Sequence, residues 1–587
     1  MTWKMAKKLF AAITRKKTFT YNEETTSLAR VLSLVDLIGL GAGSTLGLGV
    51  YVLAGSVAKT YAGPASSISF FIAAIISLFG GLCYAEFAAR VPRTGYAYAY
   101  CYAGVGELVA FVVGWNLLLG AVLGAASVAS GMSSYIDALF EKKIALTIAS
   151  WFSIDVPYLT HTPDVLALAI IVLLTILLSV GMKESSMFNN ICTVLNLLTI
   201  FTVIVACAIK ADIKNWAISK ESIKPEYKEQ AGGGGFFPYG IAGVIAGTPN
   251  CFFGFTGFDA PAACSDEAKN PKRNIPLAIL ISLLLVFVVY FSISTVLTLA
   301  WPYYLQNENA PFPYVFEQFG WIEVKWIVTI GAIFALSSSA FGSMYFTPRV
   351  VYAMADDGLI FKFLANVHPV TKTPLISTIL SGVISGLMAT FLDLNALMDL
   401  MTIGAFFSYV IVAASVIVLR YETTSTVIEP VSDQTFAVHP KRKYFGSLFN
   451  ISKNKIPNKT SSAVTNISTL FFTMMTCIFC VIFKNPQFFG THRAYYISCS
   501  FTAVLMLVMA LIIFRQPQSK EKISFKVPLV PFIPCLSIIF NLYMMMQLSL
   551  FTWIGFLGWI SIGCLVYFFY GIKHSEENKH TPKETTQ

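Results

Sequence analysis

The sequence predicts an all-α polytopic membrane protein of about fourteen transmembrane helices, ten in a five-plus-five inverted repeat and four appended after them. Three observations predict it. The 587 residues are 56% hydrophobic and only 12% charged, whereas a soluble domain carries roughly 25% charged residues. Apolar runs of the ~20 residues that a bilayer requires recur along the chain. Two of those runs are broken by glycine and proline in matching places, five spans apart.

In order, the runs fall at 33–58, 66–89, 107–136, 164–182, 187–209, 239–262, 275–300, 327–354, 374–392, 396–419, 466–483, 494–514, 527–548 and 551–571. They divide the chain into a basic tail (1–30), a ten-helix core (31–420), a linker (421–465), a four-helix extension (466–571) and a short tail (572–587). The linker is hydrophilic and has no apolar periodicity. Inside the core the broken spans are the first and the sixth. An offset of five is odd, so the second copy enters the membrane from the opposite side, which is an inverted repeat.

Charge orients the array. The first tail carries Lys4, Lys7, Lys8, Arg15, Lys16, Lys17 and Arg30, and the segments that share its side carry Arg90, Arg93, Lys269, Lys272, Arg273 and Lys441 to Lys443. The loop 301–326 on the other side holds Glu308, Glu317 and Glu323. The positive-inside rule then places both termini in the cytoplasm. A net charge of +10 therefore reflects topology, and basic residues scattered over short loops argue against a nucleic-acid partner. Of the 11 cysteines, Cys477 and Cys480 mimic a redox pair but lie inside a span, which reads as packing thiols. No spacing suggests a metal site. Residues 1–20 are no secretory signal, because Leu9 to Ile13 is too short an apolar stretch. They form either a basic helix on the anionic leaflet or a disordered tail. The sequons at Asn450 and Asn458 face the cytosol and stay unmodified.

The first broken span runs Gly41-Ala-Gly43-Ser-Thr-Leu-Gly47-Leu-Gly49, and the second runs Gly247-Thr-Pro249 through Gly254-Phe-Thr-Gly257-Phe-Asp259-Ala-Pro261. In hydrocarbon, unwound backbone is tolerated only where it is buried or lines a cavity. A helix that restarts in mid-membrane offers unpaired N–H groups and a positive dipole end, which suit a carboxylate. The second break frees carbonyl groups that suit an ammonium. Glycine lets a ligand approach the backbone closely. Glycine packing between helices is the alternative for a single such span; two at an inverted-repeat offset point to a carrier's binding site. A nucleotide loop is excluded, since Leu46 stands where a third glycine would fall and no βαβ context surrounds it.

At these motifs the chain resembles the cationic amino acid transporter branch of solute carrier family 7, in the amino acid–polyamine–organocation superfamily. The resemblance is carried by Gly43 to Gly55, Cys83 to Gly95, Gly106 to Asn116, Gly254 to Asp259 with Asn270 to Pro276, Pro348 to Gly358, Thr371 to Pro374, Phe525 to Pro531 and Tyr570 to Glu576. It implies a LeuT-like fold and no cofactor. It implies carboxylate binding at the backbone of Thr45, Gly47, Leu48 and Gly49, and ammonium binding at the carbonyls of Phe253, Gly254 and Thr256. Phe255 and Phe258 become candidate gates, and the side-chain pocket falls to Asn116, Gly120, Ser337, Ser338 and Ser339. Carboxylates in or beside spans are functional candidates. Glu107 is expected at the water-exposed cytoplasmic end of span three, with a part in transport. Asp259 is expected to cap the half-helix after the second break, and Glu86 to form an inner charge pair or gate with Arg93. Arg349 reads as topological.

Two departures sharpen the reading. Proton-coupled relatives carry a lysine in span five where Asn196 stands, and an amide does not exchange a proton near neutral pH. Passive, potential-driven transport is therefore expected, and the resemblance implies sodium-independent uptake of arginine, lysine and ornithine. Some bacterial relatives carry an acid where Gly120 stands, so the sequence shows no counter-ion for a cationic side chain. A neutral amino acid or histidine carrier stays open, as does an amino-acid sensor acting through the linker. Residues 137–163 hold no cysteine, so no disulfide-linked heavy chain is expected. No nucleophile, base and orienter converge, which argues against an enzyme. The plasma membrane is the expected site, with an endolysosomal membrane as the alternative; the bilayer and a small amino acid are the expected partners.

Overall fold

The computed structural model describes residues 12–15, 17, 32–90, 96–140, 143–150, 156, 158–180, 182–223, 225–228, 230–263, 265, 268–308, 310–368, 374–422, 448–450, 456–488, 492–520 and 523–577. Among these, nine helices are long and apolar enough to cross a membrane, and five shorter apolar helices accompany them. One of the nine, Gly49 to Arg90, joins the second half of the first broken span to the next helix through a turn at Gly63–Ala65.

The core elements are α1 (Leu34–Thr45), the half-helix 49–62, α2 (Ser66–Arg90), α3 (Tyr96–Gly104), α4 (Glu107–Leu139), α5 (Val165–Val180), α6 (Met182–Ile209) and α7 (Gly240–Phe253). After a short turn at Ala260–Ala263 come α8 (Pro271–Ala300), α9 (Ile322–Asp356), α10 (Leu375–Phe391) and α11 (Leu394–Arg420). The extension is α12 (Lys459–Lys484), α13 (His492–Arg515), α14 (Phe532–Gln547) and α15 (Leu550–Val566). α2 packs on α8, α4 on α9 and α5 on α10. Each of these pairs joins a helix to its counterpart five spans on.

Local chemistry sets the broken helices. α1 starts on a capping box, with Asp36 accepting from the Ser33 N–H at 2.8 Å, which satisfies helix-end donors. It stops at Leu46, and the chain resumes as a π-turn at Gly49–Leu53; such wide turns mark functional sites in helices. α7 tightens at its end through i→i−3 bonds, Gly254 N–H to Cys251 O, Phe255 N–H to Phe252 O and Thr256 N–H to Phe253 O. Gly257 then takes a φ of +106°, which glycine alone adopts without strain.

The extension is bolted to the core by polar groups. Trp115 on α4 and Trp559 on α15 stack at 4.6 Å, and each indole N–H donates to the other's carbonyl, at 2.9 and 3.0 Å. In an apolar medium such reciprocal bonds have no competing water.

Candidate functional site

The two breaks meet in mid-bundle. A Cβ on Gly49 would lie 2.8 Å from the Cα of Gly254 and 2.2 Å from the Tyr290 hydroxyl, so the backbones come this close only because side chains are missing. The carbonyls released at the end of α1 find side chains. Ser339 Oγ donates to Ser44 O at 3.4 Å, Tyr290 OH to Thr45 O at 3.3 Å, and Asn196 Nδ2 to Leu46 O at 2.6 Å. Asn196 Oδ1 in turn accepts from Tyr51 OH at 2.8 Å. Asn196 thus ties α6 to both sides of the first break and uses its donor and acceptor in place.

Beside the breaks lies a cavity of about 150 Å³. Of the residues singled out from sequence, Thr45, Leu48, Gly49, Asn116, Gly120, Phe253, Gly254, Thr256, Asp259 and Ser339 line it. The others sit elsewhere. Gly47 packs against Ser339, the serine that reaches the cavity; Ser338 Oγ instead meets Thr193 Oγ1 at 3.3 Å, and Ser337 bonds back to Ile333 O. Phe255 and Phe258 are fully buried behind the wall, the first against Tyr290 and the second against Tyr84 and Tyr409. The Phe253 carbonyl already accepts from the Thr256 N–H and hydroxyl.

Three carboxylates show different environments. Glu86 is fully buried. Arg420 grips it through Nε at 3.0 Å and Nη2 at 2.6 Å; Arg90 adds a contact at 3.2 Å and the Val527 N–H another at 2.8 Å. The partner expected from sequence, Arg93, lies outside the described residues, and the arginine that supplies the fork is 334 positions away. Glu107 was expected in water, yet it is 0% exposed. Tyr102, Tyr567 and Ser575 donate to it at 2.9, 3.0 and 2.7 Å, and Arg15 stands 3.5 Å off. Segments from both ends of the chain therefore cover it. Asp259 lines the cavity and is the only charged residue to do so among the described ones. Its backbone carbonyl accepts from the Ala262 N–H at 2.9 Å, at the start of the turn that follows.

Sequence reading passed over Tyr84, Tyr290, Ser408, Tyr409 and Arg420. Buried polar side chains in predicted spans were a usable signal for them, but nothing local says which cluster they join.

The amino acid permease family matches residues 32–443, and the family describing the C-terminus of such permeases matches 525–575. The chain is 37% identical to "Cationic amino acid transporter 4" of Mus musculus, over 96% of this chain and 90% of that protein. It is 38% identical to the Homo sapiens protein of the same name, over 94% and 89%. To "Cationic amino acid transporter 4, vacuolar" of Arabidopsis thaliana it is 32% identical, over 94% of each.

Proposed function

The chain belongs to the amino acid permease family, in its cationic amino acid transporter branch, and from that premise we propose that it carries cationic L-amino acids, arginine, lysine and ornithine, by alternating access. The membrane potential drives them, and neither sodium nor a proton is coupled. The observation that carries this reading is Asp259, one uncompensated carboxylate in a cavity with no cationic side chain among its described lining residues. A lone charge inside a membrane is expensive and is kept where an opposite charge arrives. The restarting half-helix at Gly47 to Gly49 would take the α-carboxylate, and the Gly254 and Thr256 carbonyls the α-ammonium. Asn196 supports the absence of coupling: its amide fills the place beside the Leu46 carbonyl and carries no titrating proton.

A neutral-substrate reading draws on the apolar wall of Leu48, Leu117, Val128 and Phe346. One experiment separates the two. Purified protein in sodium-free proteoliposomes, with the potential set by a potassium gradient, is offered labelled arginine, histidine and leucine. Because 100 mV is worth roughly 2.3 kcal/mol per charge, arginine is expected to accumulate about fiftyfold at that potential, with or without a pH gradient. Leucine or histidine uptake with arginine excluded overturns the cationic reading, and binding without flux makes the protein a sensor. We place the termini in the cytosol on the charge asymmetry and the protein in the plasma membrane; the plant relative's name points to the vacuole instead.

A further inference from the structure

The chain between α13 and α14 is tied down at several points. Ser519 N–H donates to the Arg420 carbonyl at 2.8 Å, Val527 N–H to Glu86 at 2.8 Å, and Arg420 Nη2 to the Val527 carbonyl at 3.2 Å. Ser524 Oγ donates to the Lys272 carbonyl at 2.5 Å, in the first turn of α8. This strap therefore gathers the ends of α11, α2 and α8. Lys520 and Lys526 on the strap are exposed, as are Lys272 and Arg273 at its α8 anchor. Lys269 is not counted with them, because its charge already acts on Asp36.

Beside these cations runs an apolar groove. α2 packs on both α8 and α14, with Phe71 meeting Phe287 of α8 at 5.9 Å and Phe79 meeting Phe540 of α14 at 6.1 Å. Between those flanks α2 leaves Leu78 exposed, α8 leaves Leu277, Ile281 and Leu284, and α14 leaves Phe532 and Leu536. Arg273, Leu277, Ile281 and Leu284 follow one another at helical spacing, so Arg273 closes one end of the apolar stripe of α8.

Resting on the cytoplasmic placement of this side proposed above, we infer that the groove holds an anionic phospholipid of the inner leaflet. Its acyl chains lie along α2 between α8 and α14, and its phosphate sits among Lys272, Arg273 and Lys526. Basic residues at the cytoplasmic ends of membrane helices attract acidic headgroups, and a guanidinium matches phosphate oxygens in pairs. The positive-inside rule asks only that cations lie on this side. It does not ask that a strap hold them beside an apolar groove through backbone bonds to a buried ion pair. The lipid joins core helices α2 and α8 to the extension helix α14, so it stabilises that seam.

The full chain, purified in a neutral detergent, is titrated with dioleoylphosphatidylglycerol and with dioleoylphosphatidylcholine, and retained lipid is counted by native mass spectrometry. The ratio of the two lipids within one preparation does not depend on the amount of folded protein. Each basic residue beside an anionic headgroup is worth about fivefold in binding, so R273Q/K526Q is expected to lower the phosphatidylglycerol preference about twentyfold. That variant should also lose the rise in melting temperature that phosphatidylglycerol gives the wild type. K459Q/K573Q, which removes the same charge from two other exposed positions, is expected to leave the preference unchanged. An equal fall in both double variants, or a wild type without preference, overturns the inference. So does glycerol 1-phosphate, the phosphate without its chains, if it raises the melting temperature as much as the lipid does. Retention in detergent needs neither transport nor a known side of the membrane, so failure here leaves the substrate and topology readings standing.

Discussion

Glu86 and Asp259 are both buried carboxylates in membrane-spanning parts of the core, and they differ in company. Glu86 is met by two arginines and a backbone N–H. Asp259 borders a cavity and has no ion pair among the described residues. Burying a charge is repaid only when the partner's geometry is good and the remaining lone pairs are filled. Glu86 meets those conditions from within the chain, so it belongs to the architecture, joining α2, the end of α11 and the segment before α14. Asp259 does not, which leaves the second half of its interaction to a molecule that comes and goes.

That contrast can be broken by mutation. The largest effect is expected at Arg420→Met, which strands Glu86 with the lesser contacts of Arg90. Loss of one partner of a buried pair costs about 3–5 kcal/mol, read as a fall in the melting temperature of the purified protein. Unchanged melting would mean that the pair is not structural. Next comes Asp259→Asn. Arginine kcat/KM is expected to drop about a hundredfold, within the range for removing one side of a desolvated charge pair, with melting unchanged or raised. A variant that melts early and transports normally would reverse the roles of the two carboxylates.

Glycine positions sharpen the comparison. Gly49→Ala drives a methyl into Tyr290 and Gly254. Overpacking of this kind costs about 1–3 kcal/mol, so transport should fall tenfold or more on that scale. Gly120→Ala, at a position with nothing within 4 Å of its Cβ, should leave melting unchanged, so that any fall in uptake there reports the methyl entering the cavity and not a loss of folding. The smallest effect is expected at Glu317→Gln, which removes an exposed pair with Lys325 at 2.9 Å. Such pairs are worth about 0–1 kcal/mol, so a large melting shift there would show that burial is not what separates structural from surface charges.

Much of the fold was legible because its causes are local. Apolar runs, the glycines of the first break and Gly254 to Pro261 of the second can be read where they stand. The candidate site was legible to the extent that it is backbone: Thr45, Leu48, Gly49, Gly254 and Thr256 border the cavity that their breaks suggested. Side chains were harder. Ser338 and Ser339 are adjacent, but one residue turns a helix by about 100°, and only the packing of α9 decides that Ser339 faces the cavity. Glu107 ended a span in the sequence, where water was a fair expectation; Arg15, Tyr567 and Ser575 come from distant parts of the chain to cover it.

By itself, then, the sequence determined that this is a bundle of membrane helices with two interrupted members, because helix breaking and membrane partitioning follow from residues within one or two turns. The tertiary structure decided which charges are paired and which face the cavity. Arg420 reaches Glu86, and α11 pins Asn116, across separations of 334 and 288 positions. Hydrogen bonds and ion pairs act over a few ångströms of space, and no local pattern records which distant helices packing will bring within that range.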